Sequence, residues 1–252
     1  MIIRVLPALA IGAVVVLAAA ISRRFGGGRK AQIFAGVTAG GAGFALGVGH
    51  LLSTSTFDYL LWTVALWLLV GLLDGDRPSR WIALGAVVGV GMQNKHLIAL
   101  LAVAILISIA VTAQRRTLAS IWPWAGAAVA AVIALPNLLW QAANDFPQLE
   151  MAQALADRSD GPVAFVLEQV GLLSIVLVVP LGVGWWRLTR SSRLKPWRPI
   201  GIAFAILFVF FLLTGGKSYY TAPMYPVLLA AGSLWFENLE GRGQRVLAGA
   251  AG

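Results

Sequence analysis

Long stretches of this chain carry no polar position at either a helical or a strand period. Apolar residues fill runs at 2–21, 31–52, 59–73, 81–92, 97–113, 121–140, 163–188, 200–213 and 222–236, with short polar segments between them. A helix on a soluble core would show a polar face every 3.6 residues and a half-buried strand would alternate; these runs do neither. A bilayer core of ~30 Å takes ~20 mostly apolar residues per crossing helix. The pattern predicts an all-α polytopic membrane protein with about nine transmembrane helices, and the absence of alternation argues against a barrel. No repeat at a period of 20 to 50 residues is visible, so 1–252 reads as a single integral membrane domain with one long polar loop, 141–168.

The polar segments fix an orientation. Of the 19 Lys and Arg residues, 15 fall in alternate segments: Arg23, Arg24, Arg29 and Lys30; Arg77 and Arg80; Arg115 and Arg116; Arg187, Arg190, Arg193, Lys195 and Arg198; Arg242 and Arg245. Only Arg4, Lys95, Arg158 and Lys217 lie on the other side. Basic loops stay cytoplasmic, which places the N-terminus outside and the C-terminus in the cytoplasm. The first run ends in Ala18-Ala19-Ala20 like a secretory signal, but its basic cluster follows the run where a signal carries charge before it, so it reads as a retained helix.

Composition adds exclusions. With 59% hydrophobic and 12% charged residues and a mean hydropathy of +0.83, the chain lies far from a soluble domain. It has no Cys and two His, which excludes a disulfide framework, a thiolate metal site and a His-rich cage. The net charge of +9 is accounted for by topology and contact with anionic lipid, and calls for no nucleic-acid partner. Seven of ten Trp residues, at 81, 122, 124, 140, 185, 186 and 235, stand near run ends, where an amphipathic ring suits the headgroup level. Gly36 with Gly40 and Gly43 with Gly47 suit close helix packing.

Candidate chemistry gathers on the outer side, which also holds six of the ten acids. The run 81–92 rises only about 18 Å at ~1.5 Å per residue, so the Gln93-Asn94-Lys95-His96 segment is expected below the membrane surface, where polar groups need a wet cavity or a partner. Lys95 is otherwise a snorkelling anchor and Asn94 a helix cap. Asp58 follows four hydroxyl residues; it is either an N-terminal helix carboxylate beside ordinary caps, or a carboxylate at the water interface that takes a proton or holds a divalent cation. Lys217, Tyr219 and Tyr220 precede Pro223 and Pro226, and serve either as an interfacial anchor or as a phosphate contact.

These outer segments resemble the C-type, multi-helix membrane glycosyltransferases, the family of protein O-mannosyltransferases and lipid A aminoarabinose transferases. The matching pieces are Arg4-Val5-Leu6-Pro7-Ala8-Leu9, the Ser-Thr-rich turn ending in Phe57-Asp58, 81–91 followed by Asn94-Lys95-His96, Leu135-Pro136-Asn137-Leu138-Leu139-Trp140-Gln141, and Gly216-Lys217-Ser218-Tyr219-Tyr220 leading to Pro226. The resemblance implies transfer of a sugar from a polyprenyl-phosphate donor to a lipid or protein acceptor at the outer face of, most simply, a bacterial plasma membrane. It implies Asp58 as the catalytic acid-base group, with Lys95, His96, Lys217, Tyr219 and Tyr220 binding substrate. Such proteins carry a principal acid pair in a first outer loop, and here no acid precedes Asp58; the expectation is a shortened member, with an initial helix and acidic loop upstream. The competing expectation is a polyprenyl-phosphate-binding flippase or accessory subunit that transfers nothing.

Overall fold

The computed structural model describes the backbone of residues 2–250 and the side chains of residues 3–237, so Arg242 and Arg245 and the Ala/Gly tail at 247–252 lie outside the fully described residues. The order is α1 (Val5–Arg24), α2 (Arg29–Gly41), α3 (Gly43–Val48), α4 (Thr54–Leu73), α5 (Arg80–Asn94), α6 (Leu97–Ala110), α7 (Ile121–Ala143), α8 (Pro147–Asp157), α9 (Gly161–Leu173), α10 (Ile175–Arg190), α11 (Arg198–Thr214) and α12 (Tyr225–Ala250). No strand occurs among the described residues. Among the described residues four helical segments, Val5–Arg24, Thr54–Leu73, Ile121–Ala143 and Lys195–Thr214, are long and apolar enough to cross a membrane, and six if two sharply bent pairs each count as one crossing. Ile121, Val163, Ile175 and Leu213 are 71–77% exposed, which suits hydrocarbon and not water.

Two apolar runs expected as single helices are broken. The run 31–52 stops at Ala42, whose extended backbone (φ −60°, ψ 138°) separates α2 from α3. The neighbouring Gly40, Gly41 and Gly43 lower helix propensity there, by ~1 kcal/mol each relative to Ala. The run 163–188 bends by 105° at Ser174, a non-glycine residue at φ 82°. Hydropathy is blind to both breaks because the breaking residues are small and weakly polar.

Close backbone crossings hold the bundle together. A Cβ on Gly85 of α5 would overlap the Gly126 carbonyl oxygen of α7, and one on Gly89 would meet Ile133 Cβ at 2.7 Å. In the same way Gly184 of α10 faces Leu228 of α12, and Gly232 faces Pro180. Of the expected packing glycines, Gly36 and Gly40 abut Val15 and Gly43 abuts Gly171, whereas Gly47 faces open space. Trp62, Tyr59 and Tyr225 fill the centre, and a Ser22–Ser233 hydroxyl contact of 2.8 Å joins α1 to α12 within it.

The basic end of the bundle is knitted by polar contacts. Arg24 donates to both oxygens of Asp76 at 3.2 Å and stands 3.5 Å from Asp74, and Arg80, the first residue of α5, pairs with the same Asp76 in the preceding connection. Arg193 donates to the Gly26 carbonyl at 2.9 Å, and Trp197 Nε1 donates to Val70 O at 2.9 Å. These contacts bind the α1–α2, α4–α5 and α10–α11 connections to one another. The opposite end is thereby left to carry the remaining polar side chains.

Candidate functional site

The Ser-Thr-rich turn is structural. Ser53 Oγ accepts from Thr56 N as the N-cap of α4. Thr56 Oγ1 donates to Val48 O and Leu51 O, sealing the turn between α3 and α4. Two remaining groups face the short break between α5 and α6: the Thr54 carbonyl accepts from Asn94 Nδ2 at 2.8 Å, and Ser55 Oγ accepts from Lys95 Nζ at 3.4 Å. Asn94 thus joins α5 to the start of α4.

Lys95 is the centre of the arrangement. Its ammonium lies 4.9 Å from the centroid of the Tyr219 ring and 5.2 Å from that of Tyr220, within the range of cation–π attraction. The two rings meet edge to face at 4.9 Å and are backed by Phe44 behind Tyr219 and Phe211 behind Tyr220. Burial pulls the Lys95 ammonium below its ordinary pKa, and the Asp58 carboxylate opposes that fall. Burial, with Tyr219 alongside, pushes the Tyr220 phenol up to about 12, so it stays a neutral donor at physiological pH.

Asp58 is not at the water interface, where the sequence placed it. It is 2% exposed, one turn inside α4, and accepts from Trp62 Nε1 at 3.0 Å. The i,i+4 spacing aims the indole at the carboxylate, and the Lys95 charge compensates what remains. An acceptor hydroxyl cannot reach a carboxylate so enclosed without displacing its neighbours. Nor do these residues suit a divalent cation: among the described residues no three His, Asp or Glu side chains converge, and the neighbour of Asp58 is an ammonium.

A groove of about 560 Å³ opens beside Lys95, within the ~300–1,000 Å³ of small-molecule sites. Lys95, His96 and Tyr220 are on its polar wall, with Gln148, Gln153 and Thr214; Leu97, Leu100, Leu149, Met151, Phe210 and Phe211 are among its apolar lining. His96 Nε2 meets Asn137 Oδ1 at 2.9 Å, and Gln93 Nε2 donates to Ile133 O at 2.6 Å. Both reach the stretch of α7 around Pro136, where the missing N–H loosens the helix ladder. The polar loop 141–168 is partly ordered as α8, which borders the groove and buries no residue of its own.

Lys217 does not join this wall. Its ammonium donates to the Arg158 carbonyl at 2.9 Å, and it lines a separate small recess with Asp160 and Glu168. The 3-10 turn Ser218–Tyr220 carries the following tyrosines back toward Lys95 while Lys217 stays extended outside it. Sequence reading missed Gln169, which donates to Ser218 O and Phe165 O and accepts from Thr221 and Tyr225, tying α9 to the Tyr219–Tyr220 turn. It also missed Asn137 and Trp62 as partners. A lone amide within an apolar run was the available signal for the first two, since such a group must find a partner in hydrocarbon.

A family model described as dolichyl-phosphate-mannose-protein mannosyltransferase matches residues 1–140. The chain belongs to this family. The matched part of this mannosyltransferase-family chain holds Asp58, Lys95, His96 and Asn137, whereas Tyr219 and Tyr220 lie beyond it. Its fold is similar to that of ArnT from Cupriavidus metallidurans in the apo state, with a TM-score of 0.70 at 19% identity over 97% of this chain and 47% of that one. The family member described here therefore spans about half the length of that structure. No curated protein sequence matches it.

Proposed function

We propose that this protein is a membrane glycosyltransferase that uses a polyprenyl-phosphate sugar, with the donor phosphate held at Lys95. The observation that carries this reading is the groove itself: one caged ammonium at the end of a mostly apolar cavity suits an anionic headgroup on an isoprenoid chain. Transfer breaks the bond between the sugar anomeric carbon and the phosphate oxygen. The electron pair stays on that oxygen, and an acceptor oxygen takes its place on carbon, its proton passing to the released phosphate. Charge builds up on the departing phosphate, where Lys95 and the neutral Tyr220 phenol can stabilise it. Asp58 acts behind Lys95, keeping its ammonium charged, in place of the base role that the resemblance implied. The basic loops support a nine-run topology with the N-terminus outside and the C-terminus cytoplasmic; on this reading the groove and the lipid or protein acceptor lie at the outer face, and the membrane is a bacterial plasma membrane.

One observation favours a second reading, a polyprenyl-phosphate carrier or accessory subunit: no carboxylate is among the groove-lining residues. Affinity for polyprenyl phosphate and polyprenol in detergent, followed by a transfer assay with labelled donor, tests both. A charge-assisted contact of ~1.5–3 kcal/mol predicts about 10- to 100-fold weaker binding of the neutral alcohol. Equal affinity for the two lipids sinks both readings; selective binding without transfer selects the second.

A further inference from the structure

The end of the bundle opposite the groove holds an excess of charge that the chain does not neutralise. Arg187, Arg190, Arg193, Lys195 and Arg198 fall within twelve residues, and no acid occurs between Glu168 and Glu237. Among the described residues, the carboxylates that reach this end are engaged: Asp74 and Asp76 face Arg24, with Asp76 also on Arg80, and Glu237 accepts from Gly28 N. Within the cluster, Arg193 repels Arg187 and donates to Gly26 O, while Arg190 lies over the Trp186 ring at 5.5 Å.

Two donors at this junction are left over. The Nε atoms of Arg187 and Arg198, in side chains otherwise partly exposed, are buried and have no hydrogen-bond partner among the described residues. A buried guanidinium N–H without an acceptor is costly, and two of them in one helix–turn–helix connection call for an acceptor from outside the chain. Trp185 Nε1 is already committed to Gly201 O at 3.0 Å, a contact that holds the end of α10 against α11. The indoles of Trp185 and Trp186 mark the headgroup depth. An acceptor at that depth, anionic and rich in oxygens, is a lipid phosphate.

We propose that the α10–α11 junction binds the headgroup phosphate of an anionic phospholipid, with Arg187 and Arg198 offering the fork of Nε and Nη donors that a phosphate matches. The site lies about 25 Å from the groove, since α11 has 17 residues rising ~1.5 Å each, and it stands whether or not Lys95 binds a donor.

The test reconstitutes the full chain in nanodiscs of phosphatidylcholine with or without phosphatidylglycerol, and reads lipid retained by native mass spectrometry together with thermal unfolding. Phosphatidylglycerol should be retained over phosphatidylcholine and raise the unfolding temperature. The double change Arg187→Lys and Arg198→Lys keeps charge and topology but removes both Nε–H donors, and should cut that retention about 10-fold. Its unfolding in pure phosphatidylcholine should match the unchanged chain, which separates loss of a ligand from loss of the fold. Undiminished retention by the lysine pair would overturn the site in favour of diffuse charge attraction. Equal stabilisation by millimolar inorganic phosphate would overturn the lipid assignment, leaving a free-anion site.

Discussion

The Lys95 ammonium and the Tyr219 ring face each other at 4.9 Å, although 124 positions separate them in the chain. The contact brings the α5–α6 break against the turn before α12. It also orients a cation that a flexible four-carbon stem would otherwise leave free. A caged ammonium loses less freedom on meeting a phosphate than a mobile one.

The two outer lysines should therefore part company. Lys95→Gln should weaken polyprenyl-phosphate binding by about 10- to 100-fold, the worth of one charge-assisted contact. Lys217→Gln, which removes an exposed contact to a carbonyl, should change it by less than about 2-fold. Titration of each variant with the lipid in detergent checks this, and equal effects would return Lys217 to the groove.

Asp58→Asn separates a positioning role from a base. Asp58 holds the Lys95 pKa up against burial, so removing the charge lets Lys95 deprotonate at lower pH. The alkaline limb of donor binding and of transfer should move to lower pH, with donor KM rising more than kcat falls. An unmoved limb with a ~100-fold loss of kcat would mark the carboxylate as the base instead.

Gly85→Ala should destabilise the fold by ~1–3 kcal/mol, because the added methyl meets backbone and not a yielding side chain. Gly12→Ala, with nothing within 4 Å, should be neutral or stabilising by ~0.5–1 kcal/mol. Thermal unfolding in one detergent compares the two.

Orientation is open to a direct test in a chain without Cys. A cysteine at Ser159 should react with an impermeant thiol reagent applied to intact cells, and one at Ser191 should not. The reverse labelling would turn the groove to the cytoplasmic side.

Helix positions were legible wherever burial in lipid set them, and eleven of the twelve helices overlap the apolar runs. The exception, α8, lies in the polar loop. What hydropathy could not show are the breaks at Ala42 and Ser174, where small residues interrupt hydrogen bonding without interrupting apolarity. That Lys95, His96 and Tyr220 share one groove was legible because polar groups at the ends of short runs are costly unless they share a cavity. The burial of Asp58 was not, since its shield is Trp62, one turn on in its own helix, and an indole reads in sequence as one more apolar residue. The separation of Lys217 from Tyr220 depends on a 3-10 turn three residues long, below the resolution of any periodicity.

With Gly85 and Gly126 in backbone contact, α5 and α7 have no cushion of side chains that could slide or compress between them. The pair behaves as a single stave, and Gln93 and Asn137 are fixed to it, with His96 held there by Asn137. Under lateral tension or a change in bilayer thickness, deformation would pass to the elbow at Ser174, which Gln169 connects to the Tyr219–Tyr220 turn. The receiving geometry for a headgroup thus has a stiff side on the α5–α7 stave and a tyrosine side that follows the lipid matrix in which its ligand must diffuse.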